Sequence, residues 1–218
     1  MIIDCKEIKE NARLSLKGNW RVAILITLVY SLISIIGDLM PKSSTRWFFI
    51  VTIIFDALFI FGYTAIILHI VRGEDSEVLE IFTESKRFLK GLGMTLAMDV
   101  CILLWSFLLV VPGIIATIKY SMTFYIWVDN PNIGISEAID QSVEMTAGHK
   151  WDIFNLSLSF IGWIALTSVP VLVVNLLTNQ YFFIIMSIGM IFVSPYIEVS
   201  MGTLYTELLK ERENKLVS

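Results

Sequence analysis

Charge is scarce in this chain. Only 17% of its 218 residues are charged while 56% are hydrophobic, and mean hydropathy is +0.75. A soluble domain carries about a quarter charged residues, so this surplus of apolar side chains exceeds what one water-soluble core hides. Cysteine is scarcer still: Cys5 precedes the first apolar run and Cys101 lies inside a later one. Two thiols at different depths exclude a disulfide scaffold and fit a reducing compartment. Two histidines, His69 and His149, do not make a zinc site, and no metal or cofactor is expected. A net charge of -4 leaves no basic excess for nucleic acid. Dinucleotide, Walker, H-E-x-x-H and C-x-x-C motifs are all missing. Neither a cleavable leader nor a lipid anchor is expected: the first apolar run lacks a small-residue cleavage site, Ile2 follows the initiator, and no cysteine ends the chain.

What is present comes in long apolar runs. Six spans are predicted at 20–39, 47–71, 92–111, 113–128, 153–177 and 181–204. At 1.5 Å per residue, about 20 residues cross the ~30 Å hydrocarbon core, and only helices or closed barrels satisfy their backbone there. The runs lack barrel alternation, so the expected fold is all-α: a polytopic bundle of six transmembrane helices in a single domain, 1–218. The fourth span is the shortest, joined to the third through a hairpin turn at Pro112-Gly113; a re-entrant segment is the competing reading. With both termini cytoplasmic, thirteen basic residues fall inside and only Lys42 and Arg46 outside, a strong positive-inside bias. Trp20, Trp47, Trp127 and Trp151 fall at span ends, where interfacial anchors belong.

Three short amphipathic stretches precede outward crossings. They begin at Asp4, Ser76 and Ser136 and end at Gly18, Gly91 and Gly148. Asp4 with Glu7 has capping-box spacing, and Cys5, Ile8, Ala12 and Leu16 recur at helical intervals. Each stretch is read as an interfacial helix on the cytoplasmic face. The chain thus parses into units at about 4–72, 76–129 and 136–210, each one interfacial helix and two spans. Ser15-Leu16-Lys17-Gly18-Asn19-Trp20 is echoed by Met145-Thr146-Ala147-Gly148-His149-Lys150-Trp151. True internal repetition is one reading; a common need for cap, stop and anchor is the other.

Four ionisable residues fall at membrane depth: Asp56, Asp99, Lys119 and Glu198. A charge there costs about 3 kcal/mol or more, so such residues normally face the interior and find a partner. Asp99 shares a stripe with Thr95 and Ser106, Asp56 with Thr52 and Tyr63, and Glu198 with Ser194 and Gly202. Lys119 is expected to pair with Asp56 or Asp99. One cation against three carboxylates leaves at least one acid requiring a proton, water or an ion. This set reads either as a polar intramembrane site or as ion pairing that fixes helix register.

The string Asn11-Ala12-Arg13-Leu14-Ser15-Leu16-Lys17-Gly18-Asn19-Trp20 resembles the opening of a bacterial membrane family, domain of unknown function 975. Pro112-Gly113-Ile114-Ile115-Ala116, Lys119-Tyr120-Ser121-Met122, Asp129-Asn130-Pro131 and Gly148-His149-Lys150-Trp151 match in order and spacing. Lys119 stands where the resemblance leads one to expect arginine. More distantly, the chain looks like the membrane domain, not the catalytic part, of bacterial glycerophosphodiester phosphodiesterases. The resemblance implies a multi-pass plasma-membrane protein with no assigned biochemical role. The functional expectation is a non-enzymatic accessory of the cell envelope, working in the lipid bilayer with a membrane-protein partner or a second copy. The alternative is a small transporter or a lipid- or peptide-handling permease. An intramembrane enzyme using Asp56 and Asp99 as an acid pair finds no nucleophile–base constellation.

Overall fold

The computed structural model describes residues 4–39, 45–74, 88–178 and 183–217, and all regular structure among them is helical. Helix α1 (Cys5–Leu16) starts at the predicted cap. Asp4 is extended, and its carboxylate accepts the Lys6 N–H at 2.8 Å, satisfying a donor that a helix start leaves open. Ile8, Ala12 and Leu16, one turn apart, form its buried face. Gly18 then turns the chain at φ +106, a conformation costly for residues with a Cβ, and α2 (Trp20–Leu39) begins at once. The third predicted interfacial helix is α7 (Ile135–Met145), followed by Gly148 at φ +92. Gly134, not Ser136, occupies its cap position. Asn19 and His149 play matching parts, each offering its carbonyl to the N–H four residues on, at 3.1 and 3.0 Å. The middle amphipathic stretch lies mostly outside the described residues.

Predicted spans one, two, three and six correspond to α2, α3 (Thr45–Arg72), α4 (Phe88–Leu108) and α10 (Phe183–Val217). The other two are each broken. The fourth is α5 (Val110–Tyr120) followed by α6 (Thr123–Asp129); the fifth is α8 (Lys150–Leu158) followed by α9 (Ile161–Thr178). The reversal after α4 falls at Leu109, which is extended at φ -167, and not at Pro112-Gly113. Those two sit in the first turn of α5, where proline's missing donor costs nothing. Gly113 lets α5 fold back on α4, since a Cβ there would collide with Ser106.

Packing is uneven along the helices. The core gathers α1, the start of α2, the end of α3, Met94 and Met98 of α4, α6, α7, α8 and the C-terminal half of α10. Elsewhere apolar side chains face outward: Leu103, Leu104 and Phe107 on α4, and Leu166, Leu172, Leu176 and Leu177 on α9. Among the described residues, Lys90–Phe107 and Lys150–Val174 are long and apolar enough to cross a membrane.

Candidate functional site

Where α2, α3, the α5–α6 break and α10 meet, they enclose a cavity of about 380 Å³. Its wall carries Thr27 and Tyr30 from α2, then Phe59, Tyr63 and Thr64 from α3. Ser121, Phe124 and Tyr125 come from the break, and Ser194 and Glu198 from α10. Phe55, Phe59 and Tyr63 recur every four residues, so one face of α3 is a ladder of rings, with centroids 5.6 and 5.5 Å apart. Tyr30 closes on this ladder at 4.9 Å from Phe59. On α10, Gly202 brings the backbone against α3, where a Cβ would sit 2.6 Å from Ile67 Cγ2. Pro195, about two turns before, lacks the N–H that the Ile191 carbonyl would otherwise accept from. Glu198 lies between these two irregular positions.

The hydroxyls of the wall are oriented by their own helices. Thr27 donates to Ala23 O at 3.0 Å, Thr64 to Ile60 O at 2.7 Å and Ser121 to Ile118 O at 2.8 Å. Their protons are committed to backbone, so lone pairs are what they offer the cavity. The Tyr63 hydroxyl is buried and makes no hydrogen bond. Among the described residues, no cationic side chain pairs with the Glu198 carboxylate.

A polar clamp fixes the cavity floor. Arg72, at the end of α3, grips Asp129, at the end of α6, through two parallel hydrogen bonds of 2.9 and 2.6 Å. Tyr205 of α10 donates to the same carboxylate at 2.8 Å. The Tyr205 ring stacks on Tyr125 at 5.3 Å, and Tyr125 donates to the Glu198 carbonyl at 3.4 Å. Three helices are therefore tied together, and Tyr125 links the clamp to the Glu198 backbone. A second polar cluster lies apart from it. His149 is buried, with Nδ1 3.3 Å from Asp152 and Nε2 3.4 Å from Glu211, rather than solvated in its turn.

A family model described as protein of unknown function (DUF975) matches residues 1–119 and 106–212, nearly the whole chain. The chain belongs to the DUF975 family. No curated protein and no solved structure matches it. Of the ionisable residues singled out in this DUF975 sequence whose side chains are described, Glu198 lines the cavity, together with its stripe partner Ser194, and Tyr63, the stripe partner of Asp56, lines it too. Asp99 is exposed on α4 and not turned inward, and no ion pair joins it to Lys119. Lys119 is half-buried at the end of α5, where its carbonyl accepts from Ser142 at 2.7 Å. Trp47 and Asp56 fall in α3, and their side chains lie outside the described residues. Trp20 and Trp151 are exposed, as anchors would be, whereas Trp127 is fully buried against Phe61, ring centroids 4.4 Å apart.

The clamp was missed in the sequence because Arg72 and Asp129 are 57 residues apart, and no local spacing joins them. The aromatic ladder had a local signal in its four-residue period.

Proposed function

We propose that this DUF975 protein is a six-span, non-enzymatic protein of the bacterial plasma membrane, with both termini cytoplasmic, whose Glu198 cavity is the solute site of a small permease. The observation that carries this reading is a carboxylate with no cationic partner among the described residues, in a cavity walled by hydroxyls and rings. Structural ion pairs do not leave such a space beside them, whereas solute sites do. The outward-facing leucines of α4 and α9 suit lipid, and the thirteen-to-two charge asymmetry supports the cytoplasmic placing of both termini. A groove between Arg13, Trp20, Trp163, Phe192 and Tyr196 has the mixed basic and aromatic lining of a membrane boundary.

The test is solute or proton flux in proteoliposomes. Wild-type protein is expected to support it, and Glu198→Gln to reduce it at least about tenfold, as removal of a buried charged contact should. Flux unchanged in Glu198→Gln contradicts the assignment.

A second reading, an accessory protein bound to a membrane partner, draws on Asp99. It lies mid-way along Lys90–Phe107 and faces outward among Leu96, Val100 and Leu103. A carboxylate so placed is costly in lipid and cheap against a partner helix that supplies a donor. A stable co-purifying chain lost on Asp99→Leu, without flux, favours this reading.

A further inference from the structure

We infer that the Glu198 cavity binds a small organic ammonium ion, a refinement that rests on reading the cavity as a solute site. Three features of the wall agree on the sign and kind of ligand. Glu198 supplies a buried carboxyl group with no side-chain cation opposite it among the described residues, and a bound cation would hold it ionised. Phe59, Phe124 and Tyr63 bring ring faces and edges around the same space, and ring faces attract cations. Thr27, Thr64 and Ser121 have given their protons to backbone carbonyls and turn acceptors toward the ligand. An anion meets no donor-rich, cationic surface here. A neutral apolar molecule leaves the carboxylate uncompensated. A small metal ion prefers a tight shell of oxygens, and a space of about 380 Å³ with rings set among its hydroxyls is wide for one. An alkylammonium head satisfies all three features, with its N–H or N–CH₃ groups against Glu198 and the rings. The buried Tyr63 hydroxyl, which lacks a partner, gains one from an N–H donor or from water carried in with the ligand.

The experiment uses the purified full-length chain in lipid nanodiscs and equilibrium dialysis with tetramethylammonium, choline and butylammonium. The neutral carbon isostere of choline, 3,3-dimethylbutan-1-ol, and sodium ion serve as comparisons. At least one ammonium probe is expected to bind at least about tenfold more tightly than the neutral isostere, the scale of one desolvated cation–π and charge contact. Glu198→Gln should abolish that preference, and Phe59→Leu should weaken it while leaving the carboxylate in place. The wild-type comparison of ammonium with isostere needs no variant, so misfolding of Glu198→Gln does not hide the answer. Equal binding of cation and isostere, no binding of any ammonium probe, or unchanged binding in folded Glu198→Gln overturns the inference. Flux in liposomes without ammonium binding defeats this inference and leaves the permease reading standing. Ammonium binding without flux does the reverse.

Discussion

At the residue scale, several polar side chains find partners that are far away in sequence. Asp129 holds Arg72 and Tyr205 simultaneously, so Asp129→Ala strands an arginine and a tyrosine hydroxyl together. A loss of about 1–2 kcal/mol is expected, since Arg72 stays open to solvent, measured as a lower midpoint in thermal or denaturant unfolding in detergent. A change below about 0.5 kcal/mol would show that the clamp contributes nothing. Glu211 gives a pH prediction. Its carboxyl is held below its ordinary value of 4.5, first by the hydrogen bond from Lys215 at 2.6 Å and then by the charge of His149. A carboxyl with a depressed folded value stabilises the fold at neutral pH, and that contribution disappears as pH falls below about 4.5. Glu211→Gln should therefore be less stable than wild type at pH 7, with the gap closing toward pH 3. A gap that stays constant with pH contradicts this.

Some of this was visible in the sequence. Ser194 and Glu198, one turn apart, were readable as a shared stripe because helical spacing is a local property. Asp99 showed the limit of that argument: its stripe with Thr95 is real, yet periodicity says which residues share a face, not which face turns inward. Trp127 at a predicted span end was misread for a related reason, since proximity to an end does not distinguish a lipid anchor from a core ring beside Phe61.

At the scale of elements, the informative feature is the break between α5 and α6. A helix interrupted at Ser121-Met122 leaves backbone groups without helical partners, and burying those is costly. Ser142, fully buried on α7, offers both what is missing: its hydroxyl donates to Lys119 O at 2.7 Å and accepts from Met122 N–H at 3.2 Å. Ser142→Ala removes both bonds, and about 1–3 kcal/mol of stability should go with them. Hydrogen exchange at Met122 is expected to rise by a corresponding factor, and protection equal to wild type there would contradict the role. Nothing in the run at 113–128 announced this break, because hydropathy reports the apolar content of a segment and is blind to a hydroxyl supplied from α7. The reversal before α5 was misplaced by three residues for the opposite reason. Pro112-Gly113 is a turn signal taken alone, but proline is equally at home in a first helical turn, and glycine is required there by Ser106 packing.

At the scale of the whole molecule, the uneven packing has a simple physical reading. Along α4 and α9 the chain leaves large leucines and aromatics outside, an arrangement that water penalises and hydrocarbon does not. Toward the other end, α1, α7, α8 and the extension of α10 to Val217 build a core of ordinary soluble character, with buried Ile8, Met145, Ile153 and Leu208. At 1.5 Å per residue α10 is about 52 Å long, enough to line the cavity and reach this second region. The hydropathy of the sequence revealed the first half of that design. The second half arises from amphipathic faces meeting, which the caps and glycine stops suggested without saying what each face would touch.

The central claim is that Glu198 sits in a solute-accessible cavity inside a lipid-embedded bundle. Its most direct test is cysteine reactivity in intact membranes, in a background where Cys5 and Cys101 are replaced by serine. Ser194→Cys, on the cavity wall, should react with a small charged methanethiosulfonate, whereas Leu104→Cys, on the outward face of α4, should not. An inert cysteine at 194 beside a reactive one at 104 would contradict the account.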